Sequence, residues 1–169
     1  MRIAAVCGSL QARSRNRELL ERAAVVAPAG VEVVLSEALG ELPLFNPDLE
    51  AGGVTPPAVA TWRADILASD AVLIACPEYG HSLPGALKNG IDWCIGSGEL
   101  ERKPVAITAA VPHPSRGALG LAALWDTLQA VSAIIPWREA IVVGPDLDAR
   151  LAALLRDLVA AAKAAAAEA

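Results

Sequence analysis

Short apolar segments alternate with helical patterns along the whole chain, and this alternation constrains the fold more than any other feature. The apolar segments predict strands at residues 2–7, 31–35, 71–75, 104–110 and 137–143. Helices are predicted at residues 17–27, 56–69, 85–95, 118–131 and 148–169. Strands that alternate with helices pair in parallel. We therefore expect an α/β fold, a three-layer α/β/α sandwich around a five-stranded parallel sheet in the order 2-1-3-4-5.

Capping residues and a long irregular segment refine this prediction. Thr55, followed by Pro56, is a predicted N-cap. Asp148 is the predicted N-cap of an alanine-rich last helix, which we expect to fray near Ala169. Residues 37–55 carry several Gly, Pro and Asn residues and predict a long loop, a type of segment that usually has a function or covers something.

Composition excludes several classes of protein. A chain of 169 residues, 54% of them hydrophobic, suits one folded domain spanning residues 1–169. The net charge of −5 argues against a nucleic-acid partner, and no apolar run approaches the ~20 residues of a membrane span. The first residues do not form a signal peptide. Three widely spaced cysteines without a C-x-x-C pair indicate neither a disulfide framework nor a metal site, and favour the cytoplasm.

The turn after the first strand predicts a phosphate site. Residues 8–16, which we call loop 1, read G-S-L-Q-A-R-S-R-N and lead directly into a helix. A strand that ends in such a turn presents backbone N–H groups and the positive end of a helix dipole to one point. Ser9, Ser14 and Asn16 add side-chain donors, and Arg13 and Arg15 add charge.

Two further loops are predicted at the same edge of the sheet. In a parallel sheet of this order, a ligand binds beyond the strand C-termini, between strands 1 and 3. Loop 2 (residues 77–84) and loop 3 (residues 111–117) follow strands 3 and 4 and are rich in Gly, Pro and Ser. The three loops together predict one ligand site.

Residues 77–93 identify the family that the chain resembles. They read P-E-Y-G-H-S-L-P-G-A-L-K-N-G-I-D-W and resemble the P-E-Y-N-x-S-x-P-G-x-L-K-N-A-x-D-W signature of the NADPH-dependent FMN reductases. Loop 1 is similar to the family pattern G-S-x-R-x-x-S-x-N with equal spacing. The resemblance extends over essentially the whole chain, including residues 42–46 and 48–49. It implies a flavodoxin-like fold, noncovalent FMN, and hydride transfer from NADPH or NADH to flavins, quinones or similar acceptors.

The resemblance also implies roles for individual residues. In loop 1, the side chains and main chain of residues 9–16 would hold the FMN phosphate. The members singled out there are Ser9, Leu10, Gln11, Arg13, Ser14, Arg15 and Asn16. The edge of the isoalloxazine ring would be lined by Pro77, Glu78, Tyr79, Gly80 and His81 from loop 2, and by Ser115, Arg116 and Gly117 from loop 3. No catalytic side chain is expected, because flavin N5 carries the chemistry.

The reduced, partly anionic ring needs a positive partner at its N1–O2 edge. Arg116, or the N-terminus of the helix at Ala118, is expected to supply it.

The chain departs from the family pattern at several positions. Gln11 stands where the family commonly has Arg, so Arg13 or Arg15 would have to supply the missing charge. Gly80-His81 replaces the usual Asn-Gly and places an imidazole beside the mouth of the site. Leu121 and Ala123 replace a Gly and an Arg after loop 3, which leaves the choice between NADH and NADPH open.

Two other functions fit part of the same sequence. Cys7 and Arg13, followed by Ser14, form the C-x5-R-S pattern that resembles low-molecular-weight tyrosine phosphatases, although the chain has no Asp-Pro pair to act as the general acid. A flavodoxin-like electron carrier without NAD(P)H activity would share the fold and the FMN, and the acidic charge suits docking on a basic partner.

Three expectations concern contacts that the sequence does not define. Cys7 and Cys76 end neighbouring strands, so they are either separate buried residues or a redox-responsive pair. His81 is either an exposed loop residue or a proton donor to a reduced quinone. The family resemblance implies a homodimer or homotetramer, with Leu44 and Phe45 of the long loop as candidate contacts with a neighbouring subunit.

Overall fold

The chain folds around a parallel sheet of five strands, as the computed structural model of residues 1–53 and 55–168 shows. The sheet order is β2-β1-β3-β4-β6, which confirms the predicted order of five alternating strands. A second, two-stranded parallel sheet pairs β5 with β7. The strands are β1 (Arg2–Cys7), β2 (Glu32–Ser36), β3 (Ala71–Ala75), β4 (Pro104–Thr108), β5 (Ala110–Val111), β6 (Ile134–Arg138) and β7 (Ile141–Val142).

Helices cover both faces of the sheet. One face packs against α1 and α6, and the other against α3, α4 and α5. The helices are α1 (Arg15–Val26), α2 (Pro47–Ala51), α3 (Pro57–Leu67), α4 (Gly85–Asp92), α5 (Ala118–Ala130) and α6 (Leu147–Ala167). This arrangement confirms the predicted three-layer sandwich.

Successive side chains along a strand point to opposite faces of the sheet and so pack into two separate hydrophobic cores. In β1, Ile3 and Ala5 point into the α1–α6 layer, whereas Ala4 and Val6 point into the opposite layer. Because both faces are covered, β3 is buried at every position, as a central parallel strand should be. Each large aliphatic side chain buried in this way contributes about 1.5–3 kcal/mol.

The predicted fifth strand is displaced and divided. The sequence predicts it at residues 137–143, whereas the structure has β6 at Ile134–Arg138 and the short β7 at Ile141–Val142. Pro136 interrupts the apolar pattern and shifted the predicted start. It is tolerated because β6 is an edge strand, where a missing N–H removes no ladder hydrogen bond.

The two predicted helix caps are wrong. The α3 helix begins at Pro57 after Pro56, so Thr55 lies one residue too early to cap it. The last helix begins at Leu147, and Asp148 instead accepts a hydrogen bond of 2.7 Å from Arg22 Nε. The predicted end of this helix at position 169 lies outside the described residues.

The long loop is more ordered than predicted. It contains a 3₁₀ helix at Ala38–Glu41 and the short α2, which Asn46 caps by accepting the Asp48 amide at 2.9 Å; position 54 lies outside the described residues. Asn89 and Trp93 of the signature hold this loop. Asn89 Oδ1 accepts the Phe45 amide, and both Asn89 Nδ2 and Trp93 Nε1 donate to the Pro43 carbonyl oxygen, at 2.8–2.9 Å.

Within residues 1–53 and 55–168, no helix combines the length and the apolar character needed to cross a bilayer.

The two glycines of α4 should respond oppositely to a methyl group. A Cβ at Gly90 would lie 2.7 Å from Leu39 Cδ1 and 3.2 Å from Trp62 Cζ2, whereas nothing lies within 4 Å of one at Gly85. We expect Gly90→Ala to lower the free energy of unfolding by about 1–3 kcal/mol through overpacking. Gly85→Ala should raise it by about 0.4–1 kcal/mol by restricting the unfolded chain. Urea denaturation of both variants tests this, and equal effects would contradict it.

Candidate functional site

Loops 1, 2 and 3 meet at the C-terminal edge of the sheet, where β1, β3 and β4 end. Gly8 allows the first two to approach closely. Its amide donates to the Ala75 carbonyl oxygen at 2.9 Å, and a Cβ there would lie 3.1 Å from Leu87 Cδ2 and 3.2 Å from Pro77 Cδ. Any larger residue would therefore push loop 1 away from loop 2.

The hydroxyl groups of loop 1 are buried, whereas its longer side chains are exposed. Ser14 is the N-cap of α1, its Oγ accepting the Arg17 amide at 3.4 Å. Ser9 Oγ accepts the Gln11 amide at 3.3 Å and lies 3.2 Å from Tyr79 Oη in loop 2. The exposed members are Leu10, Gln11, Arg13 and Arg15. The N-terminus of α1 is thus surrounded by the Ser9 and Ser14 hydroxyl groups, and hydrogen bonds hold both of them in place.

Asn16 connects loop 1 to the strand end before loop 3. Its side chain is only 7% exposed, and its Oδ1 accepts the Ala110 amide at 2.9 Å. Because an amide N–H can only donate, this contact fixes which end of the side chain is oxygen. Nδ2 is left as a donor without a hydrogen-bond partner among the described residues, on a side chain that borders a cavity.

Glu78 connects loop 2 to the helix after loop 3. Its Oε2 accepts the amides of Leu119 at 2.9 Å and Gly120 at 3.1 Å, in the first turn of α5. A Cβ at Gly120 would lie 3.0 Å from Glu78 Cα, so only glycine permits this approach. The carboxylate satisfies two of the free helix N–H groups and complements the positive end of the α5 dipole.

Loop 2 turns back on itself at Gly80-His81. Tyr79 and Ser82 exchange two backbone hydrogen bonds of 3.0 and 3.1 Å, and the two residues between them have φ values of 56° and 62°. Two positive φ values are typical of a type I′ turn, in which Asn-Gly is the favoured pair. Gly80-His81 keeps this turn and leaves the His81 side chain exposed.

One cavity of about 310 Å³ lies between the three loops, and we call it the loop cavity. Its polar lining residues are Asn16, Glu78 and Arg116, and its apolar ones include Pro77, Val111 and Pro112. It is completed by Ala109, Ala110 and Gly117. This combination of an apolar shelf with a few converging polar groups is typical of cofactor sites.

Loop 3 contributes to the loop cavity through Arg116 and Gly117. Gly117 precedes α5 with a φ of 85°, and a Cβ there would lie 3.1 Å from Val111 Cγ1. The Ser115 hydroxyl lies 2.9 Å from His113 Nδ1, and both side chains are exposed. Gly117 therefore shapes the cavity floor, and Ser115 stabilises the loop.

A second cavity, of about 490 Å³, lies between the ends of β1 and β2, and we call it the β2 cavity. Ser9, Leu10 and Gln11 line it from loop 1, and Ser36, Glu37, Leu39 and Gly40 line it from the end of β2 and the segment after it. Arg17 and Glu37 form an ion pair at its border, and the hydrogen bonds from Arg17 lower the pKa of the Glu37 carboxyl.

The redox-pair hypothesis for Cys7 and Cys76 is wrong. Cys7 packs against the α1–α6 core and Cys76 belongs to the opposite core, so the two thiols lie on different faces of the sheet. Both are free. Burial raises the pKa of the Cys76 thiol to about 12, with Glu78 adding to the effect, so that group stays protonated at neutral pH.

The structure brings together only part of the predicted set. Asn16, Pro77, Glu78, Arg116 and Gly117 line the loop cavity, and Ser9, Leu10 and Gln11 line the β2 cavity. The remaining predicted residues line neither cavity: Arg13, Ser14, Arg15, Tyr79, Gly80, His81 and Ser115.

Four cavity-lining residues were not singled out from the sequence. Ala109 and Ala110 look like the end of an ordinary apolar strand, and the available signal was their position directly before loop 3. Val111 and Pro112 belong to loop 3, which was predicted to border the site, but neither was named as a site residue.

Comparisons with known proteins agree with this geometry. The model of the NADPH-dependent FMN reductase family matches residues 1–146. An NAD(P)H-dependent FMN reductase of Pseudomonas aeruginosa is 40% identical over 65% of this chain and 60% of its own length. A quinone reductase of Pseudomonas putida is 40% identical over 70% of this chain and 62% of its own length. The chain thus spans about three-fifths of these curated relatives.

Solved structures extend the likeness over almost the whole fold. The flavoenzyme NAD(P)H:(acceptor) oxidoreductase FerB of Paracoccus denitrificans superposes with a TM-score of 0.76 at 26% identity, covering 94% of this chain and 97% of its own. Oxidised flavodoxin 1 of Bacillus cereus superposes with a TM-score of 0.64 at 14% identity, covering 95% of this chain and 98% of its own. The second likeness shows that the fold is flavodoxin-like.

Removal of the Glu78 carboxylate should loosen the contact between loop 2 and α5. We expect Glu78→Ala to lower the free energy of unfolding by about 1–2 kcal/mol, as loss of a helix cap does. The amides of Leu119 and Gly120 should exchange their hydrogens faster, which NMR hydrogen exchange would measure. Glu41→Ala, which removes an exposed carboxylate outside the three loops, is the control. Unchanged exchange at both amides would contradict the capping role.

Proposed function

The chain belongs to the NADPH-dependent FMN reductase family, and we propose that it is an FMN-dependent oxidoreductase that transfers electrons from NADPH or NADH to quinones, flavins or similar acceptors. The observation that carries this proposal is the loop cavity. Three loops border it at the point where strand order reverses, and both apolar and polar residues line it.

The donors around loop 1 suit the FMN phosphate. The N-terminus of α1 offers unpaired amides and a positive dipole, beside the Ser9 and Ser14 hydroxyls. Asn16 Nδ2 adds a donor whose direction is fixed by the Ala110 contact. Gln11 brings no positive charge to the proposed phosphate site. Arg13 and Arg15 are close to it in sequence, and their exposed guanidinium groups could supply that charge.

The loop cavity suits a flat, partly polar ring. Pro77, Val111 and Pro112 give it an apolar surface, and Gly117 keeps its floor free of side-chain atoms. Bound FMN would supply the hydride chemistry, so the chain needs no nucleophile of its own. Arg116 lines the same cavity, and its positive charge would favour the anionic reduced ring.

The N-terminus of α5 is a poorer partner for that ring than expected. Glu78 already occupies the amides of Leu119 and Gly120 and places a negative charge at this helix end. This leaves Arg116 as the positive group proposed for the ring edge. Glu78 is assigned the role of holding loop 2 against α5.

The phosphatase alternative fits the structure less well. The Cys7 thiol donates to the Ser9 carbonyl oxygen at 3.3 Å and lies 3.7 Å from the Ser14 hydroxyl. The chain has no Asp-Pro pair to supply the general acid that this chemistry needs. The electron-carrier alternative shares the cavity and the FMN. It is separated from a reductase only by whether NADPH reacts with the protein.

Oligomerisation and location complete the proposal. Leu44 is 82% exposed and Tyr79 52% exposed, and both lie on elements beside the site. Burial of these groups between subunits would stabilise a homodimer or homotetramer. The three free cysteines suit a cytoplasmic protein.

The visible spectrum of the purified protein mixed with FMN tests the proposal. We expect absorbance near ~450 nm that stays with the protein through gel filtration and is bleached by NADPH without oxygen. Addition of a quinone should restore the absorbance. Restoration shows that the reduced protein passes its electrons to the acceptor.

Two results would contradict parts of this proposal. A protein that binds no FMN would exclude the whole assignment. A protein that binds FMN and is reduced by dithionite but not by NADPH or NADH would be an electron carrier.

A further inference from the structure

A third cavity, of about 280 Å³, adjoins the loop cavity at the edge of the sheet, and we call it the β6 cavity. Loop 3 contributes Pro114 and Arg116, α5 contributes Leu121, and the end of β6 and the segment after it contribute Arg138, Ala140 and Val142. Arg116 lines both cavities. A ligand that occupies the loop cavity could therefore extend past Arg116 into the β6 cavity.

The β6 cavity is locally positive although the chain carries a net charge of −5. Within residues 1–53 and 55–168, neither Arg116 nor Arg138 takes part in an ion pair. One carboxylate also lines the cavity, that of Glu139, and it is paired with Arg150. Two guanidinium groups thus face one space whose acidic neighbour is neutralised.

Arg138 is held in place before any ligand arrives. Its guanidinium carbon lies 5.0 Å from the centre of the Trp125 ring, in a cation–π contact. A guanidinium held in this way loses little conformational entropy when it binds an anion. The planar fork of an arginine also matches the oxygens of a phosphate.

We propose that the β6 cavity binds a phosphate group of the reduced nicotinamide dinucleotide, with Arg138 and Arg116 as its ligands. This inference rests on the proposed function, because it places the donor's reactive end in the loop cavity. The phosphate is either the pyrophosphate, which NADH and NADPH share, or the 2′-phosphate of NADPH. In the second case, Arg138 is a residue that favours NADPH over NADH as the electron donor.

Calorimetric titration of the FMN-mixed protein with ADP-ribose and with 2′-phospho-ADP-ribose tests this directly, because neither compound can reduce a flavin. We expect saturable binding that weakens with added salt. Arg138→Gln should weaken it roughly ten-fold or more, as loss of a charged hydrogen bond does. Arg156→Gln removes one charge from an exposed position on α6, on the other side of the sheet, and should not affect binding.

The Trp125 ring provides a second readout. A phosphate on Arg138 should change the Trp125 emission in the original protein and in Arg156→Gln, but not in Arg138→Gln. Equal affinity for the two compounds assigns the pyrophosphate, and a clear preference for the 2′-phosphorylated one assigns the 2′-phosphate.

Absence of binding, or equal weakening in the two variants, would overturn the inference. Either result leaves the proposed function standing if NADPH still bleaches bound FMN. Failure to bind FMN would overturn the proposed function, whatever the titration with the two phosphates shows.

Discussion

Two side chains hold the three loops together, and the rest of the site depends on them. Asn16 accepts the Ala110 amide and so connects the start of α1 to the strand end before loop 3. Glu78 accepts the Leu119 and Gly120 amides and so connects loop 2 to α5. All three hydrogen bonds join elements that are far apart in sequence, and the two to the Glu78 carboxylate are charge-assisted. The space between the loops is therefore formed before any ligand binds, which lowers the entropy cost of binding.

The same two contacts divide the polar groups into those used by the fold and those left for a ligand. Glu78 uses the amides of Leu119 and Gly120, whereas among residues 1–53 and 55–168 the side-chain cap at the N-terminus of α1 is that of Ser14. Asn16 serves both the fold and the site. Its Oδ1 accepts the Ala110 amide, and its Nδ2 is left as a donor for a ligand. Positive charge remains at Arg116, which borders both the loop cavity and the β6 cavity. The site thus offers anion-binding groups on loop 1 and on loop 3, beside the apolar residues that line the loop cavity.

The strand order and the positions of the three loops could be predicted, because buried parallel strands and amphipathic helices leave periodic signals. The local errors came from ends of elements. Thr55 and Asp148 have side chains that suit helix caps, but their helices begin at other residues. Pro136 lies inside the edge strand β6 and interrupts the apolar pattern that would have indicated where this strand begins. The sequence indicated which residues belong to the site but not which of them contact one another. Tertiary packing leaves no local pattern in the sequence. It determines that Glu78 caps a helix some forty residues onward, and that Cys7 and Cys76 face opposite cores.

The claim that loop 1 presents Asn16 Nδ2 to an FMN phosphate has a direct test. Asn16→Asp keeps an oxygen for the Ala110 amide but replaces the Nδ2 donor with a charged oxygen. Asn46→Asp makes the same change of charge at the cap of α2, where the oxygen also accepts a backbone amide. Titration by flavin fluorescence should show FMN affinity reduced roughly ten-fold or more in Asn16→Asp and unchanged in Asn46→Asp. Equal affinity in the two variants, with both folded, would show that the phosphate is held elsewhere.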